Sequence, residues 1–165
     1  MYERFGEFDS AEEINETAVS LRREGDRESL NVLAAENGID SDVVEVFWQG
    51  EMLYLCDEMS AAIGKIDVEA KEVRCAEIME DWVQYIKAQC FEKPEVARSV
   101  RKKGKSLAGC IADLLKWSFQ HQVEVDEGIM KAAGVTAGRC TLGIPGMATA
   151  KQIITAYYLG KKVQK

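Results

Sequence analysis

Gly104, Lys105 and Ser106 stand directly in front of the apolar run LAGCIADLLKW, and Gly-Lys-Ser is how a phosphate-binding P-loop ends. A P-loop also needs an earlier glycine, which opens the turn that points successive backbone N–H groups at the phosphates. In this chain that position is Ser99. The residues from Pro94 to Lys103 read as a helix opened by proline at its first position, whereas a P-loop follows a buried strand. No apolar strand ending in Asp is visible to hold magnesium, so nucleotide hydrolysis is not expected. Two readings of the stretch remain. Gly104 ends one helix and Ser106 caps the next, or Arg101, Lys102, Lys103 and Lys105 form a basic patch that grips a polyanion.

The other chemistry-bearing residues are sparse. His121 is the only histidine and sits in SFQHQ at a helix end, where a surface or capping role is the ordinary one. One histidine cannot serve five cysteines as a base, so no Cys-His nucleophile pair is specified. Glu12 with Glu13, and Glu80 with Asp81, are adjacent in sequence and diverge around a helix, so neither pair can share a substrate. Cys56, Cys75, Cys90, Cys110 and Cys140 are odd in number, widely spaced and without a CxxC pair. They are expected to be reduced thiols, with no disulfide frame and no zinc site. Neither an enzyme nor a bound cofactor is expected. A helix-turn-helix in VDEGIMKAAGVTAGR also fails, because the next helix starts only near Gly146, too far for a three- to four-residue turn.

The 165 residues suffice for one domain, or for a domain with an appendage, and a hydrophobic content of 47% supports a buried core. No apolar run reaches the roughly 18 residues of a membrane span, and MYERFGEFDS lacks the build of a secretory signal. The expectation is a soluble, cytoplasmic protein without a membrane partner. The net charge of −7 conceals an asymmetry. Residues 1–92 carry 23 acidic against 8 basic side chains, a net of −15, and residues 93–165 carry 5 against 13, a net of +8. The halves either attract one another, within one molecule or across a dimer, or engage different partners: a phosphate backbone or acidic protein for the basic half, a basic groove for the acidic one.

The elements that must position these charges are helical almost throughout. Ser10 with Glu13 is a capping box ahead of a helix over about 11–24. Leu30, Leu33 and Ala34 continue to a stop at Asn37 and Gly38, and Ser41 opens a third segment through Val44, Phe47 and Trp48. Residues 52–63, MLYLCDEMSAAI, have helical spacing, with Gly64 as their end. Residues 67–90 predict one long central helix, its stripe formed by Cys75, Met79, Trp82, Ile86 and Cys90, its exposed side by Glu69, Glu72, Glu77, Glu80 and Asp81. The helix after Ser106 is expected to bury Leu107, Cys110, Ile111, Leu114 and Leu115 with Trp117 and Phe119. A short helix over 125–134 ends at Gly134, CTLGI is a short extended piece, and MATAKQIITAYYLGKK forms the last helix. The fold class is therefore all-α, a compact helical domain, with an acidic helical part over 1–64 and a core over 65–165.

At KGKSLAGCIADLLKWSF and the later ITAYYLGKK, the chain resembles the PcfK-like family of small proteins on conjugative elements and phages, which includes anti-CRISPR inhibitors of Cas9. The likeness lies in Lys105, Ser106, Leu107, Gly109, Cys110 and the pair Tyr157 and Tyr158, and spans roughly residues 67–162. It implies a protein that binds a Cas9 effector, without catalysis or cofactor, and blocks cleavage of target DNA. The alternative is a nucleic-acid-binding accessory protein of a mobile element, acting through the basic half. The residues expected to meet a partner are Arg101, Lys102, Lys103, Lys105, Lys116, Lys151, Lys161 and Lys162, with Glu77, Glu80 and Asp81 on the acidic side.

Overall fold

Ser10 opens the first helix: its hydroxyl accepts a hydrogen bond from Glu13 N at 3.2 Å, and Glu13 Oε2 accepts from Asp9 N at 2.7 Å. The orphan donors of a helix start are satisfied in this way. A computed structural model describes residues 3–136 and 138–160. The helices are α1 (Ala11–Glu24), α2 (Arg27–Glu36), α3 (Ser41–Trp48), α4 (Glu58–Glu72), α5 (Ile78–Glu92), α6 (Pro94–Arg101), α7 (Leu107–Gln120), α8 (Glu127–Ala132) and α9 (Met147–Leu159). Between α7 and α9 the two-residue strands β1 (Val123–Glu124) and β2 (Thr141–Leu142) pair antiparallel, with Val123 opposite Leu142. The fold is all-α, and CTLGI supplies the second of these short strands.

Two clusters of buried apolar side chains organise the helices. One joins Ile14, Ala18, Leu30, Leu33, Val44 and Phe47 of α1–α3 with Leu55, Cys56 and Ala61. The other joins Ile66, Trp82, Ile86, Val100, Leu107, Leu114 and Ile154 from α4–α7 and α9. The clusters meet on α4, where Ala61 belongs to the first and Ala62 to the second. Burial at this scale, about 25 cal/mol per Å² of apolar surface, holds helices that are too short to persist alone.

Three expected boundaries differ. Gly64 lies inside α4 and ends nothing. It is there because α4 crosses the α2–α3 turn so closely that a Cβ on Gly64 would fall 2.2 Å from Asn37 O. Residues 52–57 are not helical, and Asp57 caps α4 by accepting from Ser60 N at 2.6 Å. The long helix over 67–90 is broken at 73–77, where Arg74 and Glu77 both have positive φ, 52° and 53°. An unbroken helix there would run about 36 Å, whereas the break lets α4 and α5 both pack on the second cluster. Cys75 therefore sits in the turn. Glu69 is also no part of an exposed ridge: it is 4% exposed.

Candidate functional site

The Gly-Lys-Ser segment is a structural clasp. Gly104 has φ +78° after α6, and Ser106 Oγ accepts from Gly109 N at 3.1 Å to cap α7. Lys105 Nζ donates to Tyr157 O and lies 4.7 Å from the Tyr157 ring, while the Tyr157 hydroxyl accepts from Ser106 N at 3.0 Å. A Cβ on Gly109 would meet that hydroxyl at 2.4 Å. Lys105, Ser106, Gly109 and Tyr157 are thus one contact, which fastens α9 to the start of α7. Ser99, where a P-loop has its first glycine, donates its hydroxyl to Tyr158 O.

The expected basic patch does not assemble. Arg101 is 1% exposed, enclosed between the two clusters, and its Nη2 donates to Asn37 Oδ1 at 2.7 Å. It is an internal residue because α6 turns this side chain toward the α2–α3 turn. Lys105 is half-buried by the Tyr157 contact. Lys102 and Lys103 are exposed, and backbone atoms of both are engaged: Lys102 O accepts from Lys65 Nζ at 3.2 Å and Lys103 N donates to Asp9 Oδ1 at 2.9 Å. Lys116 is exposed on α7 beside Asp113, at 2.9 Å. Lys151 is exposed on α9, 5.2 Å from the Tyr85 ring. Glu77, Glu80 and Asp81 are exposed at the start of α5. Lys161 and Lys162 lie outside the described residues. On α7, Leu115 and Phe119 are 54% and 73% exposed, in place of the expected burial, because no helix among the described residues covers that side of its C-terminal half.

An open groove of about 1420 Å³ was missed by sequence reasoning. Val19, Ile39, Val43, Leu55 and Ile63 contribute apolar lining, and Asp9, Glu12, Glu16, Asp40, Asp57 and Glu58 contribute carboxylates. One lip is Met52, Leu53 and Tyr54, held by a side-chain clamp. Asn15 Oδ1 accepts from Leu55 N at 2.9 Å and Cys56 N at 3.1 Å, and Asn15 Nδ2 donates to Cys56 O at 2.8 Å. One amide side chain therefore fixes an extended segment, as a neighbouring strand would. Hydrogen bonds from the Ser60 backbone and then its side chain hold Asp57 below the usual carboxylate range, so this rim charge persists into mild acid. Glu58 pairs with Arg98 at 2.9 Å, while Glu12 and Glu16 form no ion pair with another described residue. The available signal was the exposed trio MLY between Gly50 and the helix cap Asp57.

Four of the five thiols are poor nucleophiles. Burial pushes Cys56, Cys90 and Cys110 up to about 12, and Cys75 also above its ordinary value. All five are free. Because the thiolate is the reacting species, iodoacetamide at pH 8 should leave Cys56, Cys90 and Cys110 unmodified in the folded protein and alkylate all five after unfolding. Mass spectrometry checks this; rapid native labelling of any of the three would contradict their burial. His121 is exposed, stacked on Trp117 at 4.2 Å between centroids. Among the described residues no group of three or more His, Cys, Asp or Glu is placed to hold a metal ion, and no helix is long and apolar enough to cross a membrane. No family model, curated protein or solved structure matches the chain.

Proposed function

We propose that this protein is a non-catalytic inhibitor of a Cas9-type effector, acting by direct binding and suppressing cleavage of target DNA. The observation that carries the proposal is the charge division as it is folded. Carboxylates of the acidic half line an open apolar groove, while Arg101 is enclosed and Lys105 is turned to Tyr157, leaving Lys102 and Lys103 exposed. The outward-facing chemistry of the groove is predominantly acidic. A Cas9 effector holds its nucleic acids in a positively charged channel, so an acidic surface of matching shape competes for it and is steered toward it. The resemblance at Lys105, Ser106, Gly109 and Tyr157 supports the same function.

Pull-down against several Cas9 orthologues, followed by a cleavage assay, tests the proposal. A complex with at least one orthologue, and cleavage that falls as inhibitor is added, is the expected result. Added salt should slow association, because steering is screened beyond a Debye length of about 8 Å at physiological ionic strength. If the folded protein binds and inhibits none, while binding duplex DNA or guide RNA with steep salt dependence, the nucleic-acid-binding accessory role takes its place.

A further inference from the structure

We infer that the groove lined by α1, the 38–43 turn and residues 52–58 is a docking site for a basic amphipathic segment of a partner protein. The inference rests on the reading of the chain as a protein that acts by binding, and requires no particular effector. At about 1420 Å³ the groove exceeds the roughly 300–1,000 Å³ of a small-molecule cleft, and it is open, so it suits a length of polypeptide. Its apolar lining continues onto a lip where Leu53 is 75% and Tyr54 64% exposed. Three successive apolar residues in water, flanked by the Asn15 clamp on Leu55 and Cys56 and by the Arg22 bond to Met52 O, form a prebuilt contact surface.

Charge selects the occupant. Glu12 and Glu16 are one turn apart on α1 and share a face, and Asp40, Asp57 and Glu58 add carboxylates from the turn and from the start of α4. Three cations line the same groove, but Arg98 is paired with Glu58 and Arg101 is enclosed, leaving Lys102. Such a rim repels phosphate and attracts lysine and arginine.

Fluorescence anisotropy with a synthetic amphipathic Leu/Lys helix, and with a Leu/Glu helix of the same pattern, tests the inference on the full chain. The Leu/Lys peptide should bind and the Leu/Glu peptide should not. The double substitution Glu12→Gln with Glu16→Gln should weaken binding about tenfold and flatten its salt dependence, and Leu53→Ser with Tyr54→Ser should weaken it about tenfold with little change in salt dependence. All four side chains are exposed, so circular dichroism should show the fold intact in both variants. Equal binding of the two peptides, or Leu/Lys binding untouched by both double substitutions, overturns the inference. So does a dimer in sedimentation that Leu53→Ser with Tyr54→Ser dissolves, because a second copy then fills the groove. Peptide binding that behaves as expected, in a protein that inhibits no effector, upholds the groove and removes only the Cas9 proposal.

Discussion

Gly64→Ala is expected to cost at least about 3 kcal/mol, enough to unfold a large share of a marginally stable domain. A Cβ at this position would lie 2.2 Å from Asn37 O and 3.0 Å from Gly38 O. Both neighbours are backbone atoms, which no rotamer change can move aside. The same crossing bars a side chain at Gly38, where a Cβ would lie 2.3 Å from Gly64 O and φ is +65°. The crossing also seats the Asn37 side chain, which donates to Leu33 O at 2.8 Å and accepts from Arg101 Nη2. Separating α4 from the α2–α3 turn therefore opens the boundary between the two apolar clusters and the inner end of the groove together. Gly50→Ala is the control: φ is +83° but nothing lies within 4 Å, so only the left-handed backbone penalty of about 1–2 kcal/mol applies. Urea denaturation gives both numbers. A Gly64→Ala midpoint no lower than that of Gly50→Ala would mean that the crossing is looser than described.

What could be read from the chain and what could not divide on physical lines. Ser10, Pro94 and Ser106 act through their own backbone neighbours, so the helix starts they signal are where the sequence places them, whereas α6 stops at Arg101, ahead of the expected stop at Gly104. The break between α4 and α5 carries no such signal, since Arg74 and Glu77 are poor residues for positive φ and are held there by the packing of the helices on either side. Residues 52–57 have helical apolar spacing yet are not helical: Asn15, some forty positions away, takes the backbone hydrogen bonds of Leu55 and Cys56, and Arg22 donates to Met52 O. Leu115 and Phe119 continue the α7 stripe but are 54% and 73% exposed. The charges are least legible. Arg101 reads as a surface cation yet is 1% exposed, and Lys65 is 0% exposed. Asp40 and Asp57 cap α3 and α4, although the spacing points to Ser41 as the cap of the third helix and places Asp57 inside a helical segment, and only the tertiary fold brings them to the rim of one groove with Glu12 and Glu16.

Lys65→Met is expected to cost about 3 kcal/mol at pH 7, because it leaves a buried carboxylate without its nearest cation. Lys65 Nζ lies 2.5 Å from Glu7 Oε1 and 3.8 Å from Glu69 Oε1, and it donates to Lys102 O. Glu69 Oε2 in turn accepts from Leu107 N at 2.6 Å, at the first residue of α7. The ammonium therefore ties α4 to the segment before α7, and holds the Gly-Lys-Ser run inward from the side opposite to its Tyr157 clasp. Burial raises the Glu69 carboxyl above its ordinary value of 4.5, opposed by the Leu107 N–H and by Lys65. Removing Lys65 removes one opposing influence and raises it further. A carboxyl whose folded value lies above its unfolded one favours the fold when protonated, below the unfolded value, and loses that contribution as pH rises through the folded value. The deficit of Lys65→Met should accordingly be largest near pH 7 and shrink as pH falls to 4.5 and below. Adding Glu69→Gln, which keeps an acceptor for Leu107 N without the charge, should recover more than half of the loss at pH 7. Denaturation of the single and double variants at both pH values supplies the cycle. A deficit that is unchanged or larger at pH 4.5, or a double variant no more stable than the single, would show that Lys65 acts through the packing of its stem rather than through its charge.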